Sequence, residues 1–222
     1  MSGGEKVSVP TPDLSHLKAA DYARVYEPSE DTFALLDALE MDYWEIRTQQ
    51  PRICYEIGSG SGCVIAFVAS ILKSSCLYVA ADINEHASKC TQATATRNGY
   101  SVQAINANLM DCLRLERSVD LLLFNPPYVP TEEEEYSQSQ LTKQLSSALS
   151  GGNLGMELTE LVLSRLDTLL SPNGALYLVA IRQNKPEEIC QRLNDTGNFT
   201  ASILLKRRAG IELLHIIKCS PH

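Results

Sequence analysis

Short apolar runs and helix-period segments alternate through most of the chain, and this alternation is what most narrows the fold. Arg52–Ile57 reads as a strand and Cys63–Lys73 as a buried helix. Leu77–Asp82 is a second strand, followed by a helix over Glu85–Asn98 that Gly99 closes. Val102–Asn106 is a weaker third strand and Val119–Phe124 a strongly apolar fourth. A polar loop runs from Thr131 to Gly155, and Leu158, Leu161, Val162, Leu166, Leu169 and Leu170 then mark a helix. Pro172-Asn173-Gly174 turns into a strand at Ala175–Ala180, and Pro186–Leu193 is a short helix. Ser202–Lys206 and Ile211–Lys218 form a hairpin around Arg208-Ala209-Gly210. Strands that alternate with helices imply a mostly parallel sheet covered on both faces. The expected fold is therefore α/β and Rossmann-like, with seven strands and a C-terminal antiparallel hairpin.

Met1 to about Lys18 is rich in Ser, Gly and Pro and has no apolar period, which predicts a mobile tail. Ser29 looks like a helix cap, with Glu30 and Asp31 in the first turn, where carboxylates suit the helix dipole. Phe33, Leu36 and Leu39 form the apolar stripe of a helix ending near Trp44. The 222 residues show no internal repeat and no linker between two cores, so one domain is expected from 21 to 222 after a tail of about 20 residues.

The first strand runs into "YEIGSGSGC", with Gly58, Gly60 and Gly62 at alternate positions before a helix. In such sheets ligands bind beyond the carboxyl ends of the strands, where glycine lets backbone approach closely. A dinucleotide fingerprint needs its third glycine at 63, which is Cys63. Glu56, at the strand end, would repel a pyrophosphate and welcome a cation, as the ammonium and sulfonium of S-adenosylmethionine would provide. Asp82, 26 residues after Glu56, ends the second strand and suits a carboxylate accepting from ribose hydroxyls. Asn108 and Leu109, past the third strand, suit an adenine amino group and an adenine face. Alone, the glycine loop reads equally as a tight strand-to-helix turn; together with the two acids it points to a cofactor site.

"FNPPYVP" ends the fourth strand on Asn125. Each proline lacks an N–H and fixes its own φ, and Pro126 holds Asn125 extended. The Asn125 side-chain oxygen and the Pro126 carbonyl could both accept from one –NH2 group, with Pro127 stiffening the turn and Tyr128 lying against a planar substrate. An amide or aromatic amine has its lone pair delocalised, so fixing both N–H bonds turns the nitrogen toward an incoming methyl group.

"EIGSGSG", "ADIN" and "FNPPYV", in this order, resemble the class I S-adenosylmethionine-dependent methyltransferases, and Asn-Pro-Pro-Tyr resembles the mark of those that act on a planar –NH2 nitrogen. The opening "VYEPSEDTFALLDALE" is similar to the eukaryotic and archaeal branch of the HemK/PrmC family, the protein-(glutamine-N5) methyltransferases, over about Tyr22 to Lys218. The resemblance implies methylation of the Gly-Gly-Gln glutamine of the class 1 translation release factor, in a heterodimer with a small zinc-binding activator subunit. It also brings histone lysine and DNA or RNA adenine as alternative substrates. By motif it implies Thr32 near the methionine end of the cofactor, Glu56 and Gly58 along its amino-acid part, Asp82 at its ribose and Asn125 holding the substrate nitrogen. Gly60, Ile83, Asn108, Leu109 and Asn125 are also expected among the cofactor-binding residues. Two positions depart from the family: Asn108 stands where relatives often carry Asp, and Leu149 where they often carry Trp.

The net charge of −8 and the absence of an added target-recognition domain disfavour a nucleic-acid substrate. Glu132 to Glu135, in "TEEEEYSQSQ", would repel phosphate and attract a basic protein segment. Seven widely spaced cysteines without Cys-x-x-Cys, and His16, His86, His215 and His222 scattered without metal spacing, predict neither a disulfide framework nor a metal site. Lys206-Arg207-Arg208 reads as a solvated basic loop. No apolar run approaches a membrane span or a signal peptide, which predicts a cytoplasmic protein with the nucleus as a second compartment. A scaffold that keeps the fold without activity is the competing class, and intact Glu56, Asp82 and Asn125 weigh against it. The weak third strand, if it lies at the sheet edge, would be a natural docking site for a partner.

Overall fold

The computed structural model describes residues 7–73, 76–111, 116–127 and 154–222. Its chain order is α1 (Ala19–Tyr22), α2 (Glu30–Met41), α3 (Tyr43–Gln49), β1 (Ile53–Ile57), α4 (Cys63–Leu72), β2 (Leu77–Asp82), α5 (Glu85–Arg97), β3 (Val102–Asn106) and β4 (Val119–Phe124). It continues with α6 (Leu154–Leu163), α7 (Leu166–Leu169), β5 (Leu170–Ile181), a 3-10 turn (Arg182–Asn184), α8 (Pro186–Asp195), β6 (Phe199–Ala209) and β7 (Glu212–Pro221).

The strands form one seven-stranded sheet in the order β3-β2-β1-β4-β5-β7-β6. β1 to β5 are parallel, and β7 runs antiparallel to both β5 and β6. The expected mostly parallel sheet with a closing hairpin is therefore what forms, and β3 lies at an edge, as its weak apolar run suggested.

Strand alternation sorts the core into two layers. Cys54, Leu121, Leu123, Tyr177 and Val179 point to the side covered by α2, α4 and α5. Their neighbours Tyr55, Leu122, Phe124, Leu176 and Leu178 point to the side covered by α6, α7 and α8. Helix α4 is buried on nearly every residue, so it packs between α2 and the sheet rather than presenting a polar face. One acid interrupts the apolar β4: Asp120, whose carboxylate accepts from the backbone N–H groups of Arg52 (2.8 Å) and Ile53 (3.0 Å) and from the Ser171 hydroxyl.

Five sequence expectations are corrected. The helix expected to reach Trp44 ends at Met41, and Trp44 lies half-exposed on the separate α3. Asp42 makes the break, because its carboxylate is held by the Tyr177 hydroxyl (2.7 Å) and the Lys218 ammonium (2.7 Å) below the helix. The helix expected to run to Leu170 is two helices, and β5 begins at Leu170 instead of Ala175, with a register shift between Val119 and Leu121 of β4. Residues 9–18, expected as a mobile tail, are tied to the domain: the Val9 N–H donates to Glu40, the Asp13 N–H to Asn98, and Leu17 packs with Val25, Ala87 and Cys90. Lys206 and Arg207 belong to β6 and not to a solvated loop, and they form ion pairs with Glu187 and Asp37. The hairpin itself is longer than read, with Gly210 (φ 58°) and a fully exposed Ile211 at its tip.

Candidate active site

Parallel register brings four strand ends to one level. Ile57 of β1 pairs with Ala81 of β2 and with Phe124 of β4, and Asp82 pairs with Asn106 of β3. Gly58, Asp82, Asn106 and Asn125 therefore stand in a row along the carboxyl edge of the sheet. Strand order reverses between β1 and β4, the place where open α/β sheets bind ligands.

Alternation along β1 decides what each acid and phenol does. Glu56 points toward α4, where its Oε2 accepts from the backbone N–H of Ile65 at 3.0 Å. That N–H is one of the donors a helix start leaves unpaired, and the helix dipole favours the negative charge. Glu56 is 4% exposed, and burial pushes its carboxyl well above the usual range; the Ile65 bond opposes that, and Asp82 nearby adds to it. A carboxyl so raised favours a cationic neighbour.

Asp82 ties the glycine loop to its own strand end. Its Oδ2 accepts from the Gly60 N–H at 2.9 Å and its Oδ1 from the Asn84 N–H at 2.8 Å. Burial raises its carboxyl, against the pull of those two backbone bonds. Each oxygen keeps acceptor capacity beyond its backbone partner. Gly58 (φ 69°) has nothing within 4 Å of where a Cβ would be, so the loop leaves open space on its ligand side. Gly62 differs: its N-cap position (φ 77°) puts a Cβ only 2.6 Å from the Thr91 Cα, so this glycine serves the packing of α4 on α5.

Past β3, Leu109 adopts φ 47°, a left-handed conformation costly for a branched side chain. The Tyr55 hydroxyl holds it by donating to the Leu109 carbonyl at 2.6 Å. Asn108 lies half-buried beside it, its Nδ2 donating to Asp111 at 3.3 Å, and Ile83 is partly exposed next to Asp82.

At the end of β4, Asn125 donates through Nδ2 to Asp31 Oδ2 at 3.2 Å. Its Oδ1 is buried and has no hydrogen-bond partner among the described residues. Pro126 is buried and Pro127 half-buried behind it. Tyr128, Glu132 to Glu135 and Leu149 lie outside the described residues. Thr32 is buried in the first turn of α2; its hydroxyl accepts from the Ser29 N–H (3.4 Å) and donates to Asp31 (3.2 Å). Of the residues singled out in the sequence, Glu56, Gly58, Asp82 and Asn125 stand at the ends of neighbouring strands and Thr32 lies beside Asp31, which reaches Asn125; the contacts of Asp31 and Tyr26 were not anticipated. Both lie in the quoted "VYEPSEDTF", but Asp31 had a sufficient explanation as a first-turn acid. A group the spacing did not suggest also forms: ligand atoms of Asp21, His86 and Cys90 lie within 4.8 Å of one another, with His86 bonded to Asp21 at 3.1 Å.

A Methyltransferase small domain model matches residues 32–156, which include the glycine loop, Asp82 and Asn125. The chain belongs to the methyltransferase small-domain family. Within that family it is 41% identical to mouse "Methyltransferase HEMK2" over 215 residues, covering 96% of this chain and 97% of the relative. It is 40% identical to the fission yeast "eRF1 methyltransferase catalytic subunit mtq2" over 220 residues, covering 94% of each chain. Among solved structures it is similar to the E. cuniculi Mtq2–Trm112 complex, described as responsible for methylation of the eRF1 termination factor. That match has TM-score 0.62 and 29% identity, and covers 89% of this chain and 99% of the other. The fold is that of the class I S-adenosylmethionine-dependent methyltransferases.

The residues present fit that cofactor. A buried carboxyl that favours a cation, a glycine loop open on one side, and an unpartnered buried amide oxygen stand along one sheet edge. Among the described residues, no helix is long and apolar enough to cross a membrane.

Proposed function

We propose that the chain transfers a methyl group from S-adenosylmethionine to the side-chain amide nitrogen of a glutamine in the class 1 release factor eRF1. The observation that carries this reading is the Asn125 Oδ1: a buried acceptor with no partner among the described residues, at the end of a central strand, is costly unless something arrives to donate to it. A substrate –NH2 is such a donor. The fission yeast relative, 40% identical over almost its whole length and named an eRF1 methyltransferase catalytic subunit, supports the choice of eRF1 as substrate.

When bound, S-adenosylmethionine would supply an electrophilic methyl group on a sulfonium, with Glu56 beside its ammonium and Asp82 at its ribose. Asn125 Oδ1 and the Pro126 carbonyl accept the two N–H bonds of the glutamine amide, which fixes the nitrogen and stabilises positive charge as it grows there. The proton released on methylation passes to solvent. Lysine is a poorer match, because an ammonium must first lose a proton. Histone and duplex DNA remain the alternative substrates to compare.

The same reading makes the chain the catalytic subunit of a heterodimer with a small zinc-binding partner of the Trm112 kind, acting in the cytoplasm. Among the described residues β3 is the end strand of the sheet, and its outer edge would offer backbone groups to such a partner.

The test is methyl transfer from labelled S-adenosylmethionine by the full chain co-expressed with that partner. Release factor, histone tail and duplex DNA are offered side by side. Label on the eRF1 glutamine, lost in Asn125→Ala, is expected. Label confined to histone or DNA overturns the substrate assignment.

A further inference from the structure

We infer that Asp31 is a positioning residue that fixes which end of the Asn125 side-chain amide faces the substrate. The inference rests on the reading of Asn125 as the acceptor for a substrate –NH2.

An amide side chain has a donor end and an acceptor end of nearly identical shape, so something must choose between them. A carboxylate can only accept. Asp31 is 4% exposed, stands 94 residues before Asn125 in the chain, and reaches it at 3.2 Å. Facing a carboxylate, Asn125 must present Nδ2, and its oxygen must then point the other way. The reversed amide would set oxygen against oxygen. The unpartnered Oδ1 is thus the direct consequence of the Asp31 charge.

Asp31 is itself held from three directions. The Tyr26 hydroxyl lies 3.0 Å from both of its oxygens. The Thr32 backbone N–H donates to Oδ1 at 2.6 Å, and the Thr32 hydroxyl donates there at 3.2 Å. Oδ1 therefore serves the first turn of α2, and Oδ2 is the oxygen that accepts from Asn125. This division of labour makes the effect of Asp31→Asn specific. The Thr32 N–H requires an oxygen at the Oδ1 position, so the new amide must place its –NH2 toward Asn125. Two donors would then meet, and Asn125 relieves the conflict by turning over. Its own –NH2 would now face the substrate –NH2, and the acceptor is lost with almost no change in shape or volume.

The same logic predicts a rescue. In Asp31→Asn with Asn125→Asp, the carboxylate at 125 accepts from the amide at 31 with one oxygen and offers the other to the substrate. Asn125→Asp alone sets two carboxylates against each other. A residue that merely supports the fold would not be rescued by exchanging the two groups.

The experiment compares wild type, both single variants and the exchanged pair in the partner-bound enzyme, with eRF1 as substrate. S-adenosylmethionine affinity by calorimetry and thermal midpoints serve as checks of folding. Expected are a fall in kcat of about 100-fold for Asp31→Asn, as for loss of one preorganised hydrogen-bonding group, with both KM values within about threefold. The exchanged pair should recover at least about tenfold over either single variant. An Asp31→Asn enzyme within about threefold of wild-type kcat, or an exchanged pair no better than the singles, overturns the inference. If wild type itself leaves the eRF1 glutamine unlabelled, the functional reading has failed, and a substrate-free measurement decides this one. In heteronuclear NMR spectra, one Asn125 side-chain N–H, assigned by its absence in Asn125→Asp, should be shifted downfield and protected from exchange, and Asp31→Asn should abolish both. An unchanged signal overturns the orientation argument directly.

Discussion

Replacing Gly62 by alanine puts a methyl group where the structure has backbone. The added carbon would stand 2.6 Å from the Thr91 Cα and 3.1 Å from its carbonyl oxygen, both part of α5. A flexible side chain could move aside, but a helix backbone can yield only by separating α4 from α5. Overpacking of this kind costs ~1–3 kcal/mol, and a Cβ at φ 77° adds ~1–2 kcal/mol of left-handed strain. The sum, ~2–5 kcal/mol, corresponds to a thermal midpoint lowered by ~4–20 °C for a domain of this size. Gly58→Ala is the control: φ is 69°, yet nothing lies within 4 Å of the new atom. It should show the strain alone, ~1–2 kcal/mol, and act mainly on S-adenosylmethionine affinity. The assay is chemical denaturation of both variants, with calorimetric titration of the cofactor. Equal destabilisation of the two, or a Gly62→Ala protein within ~0.5 kcal/mol of wild type, would refute the close-packing argument.

Two further outcomes follow from charged groups. The Glu56 carboxyl is raised by burial, so the cofactor-free protein gains stability from its proton below pH 4.5, the ordinary value for a glutamate, and loses it as pH rises toward the raised folded value. Thermal melts should show that fall, Glu56→Gln should flatten it, and S-adenosylmethionine should stabilise wild type more at the upper end of the range; a flat wild-type profile would remove Glu56 from this role. Asp42 accepts from Tyr177 and pairs with Lys218 at 2.7 Å each, so Asp42→Ala should destabilise by ~2–4 kcal/mol and Tyr177→Phe by ~1 kcal/mol in urea unfolding. Equal effects would show that the ion pair adds nothing.

β1, β2 and β4 were legible because each is a short apolar run bounded by glycine, asparagine or a charge, the signature of a parallel strand buried on both faces, whereas β3, at the edge with only Val102 buried, left a weaker one. The glycine loop and Asn125 were legible for a different reason: residues that weaken a strand must have local cause. What escaped the sequence is long-range. No pattern near Asp42 announces that Lys218 and Tyr177 will hold it and break the helix there. Pro172-Asn173-Gly174 looked like the turn before β5, but pairing with β4 already begins at Leu170, and a bulge absorbs the turn residues. Asp31 was visible and explained too early, since a first-turn acid needs no second role. Its partner is 94 residues away, and periodicity cannot reach that far.

β1 carries two duties back to back. Tyr55 reaches through one face of the sheet to hold Leu109, and Glu56 reaches through the other to the start of α4. A one-residue slip of this strand would exchange them, aiming a phenol at the helix start and a buried acid at the Leu109 segment. The strand thus works as a coding frame for the site, in which any insertion or deletion scrambles both messages at once. Loops around this sheet can be lengthened or regrafted to change what the protein recognises, but the five residues of β1 have to be inherited whole.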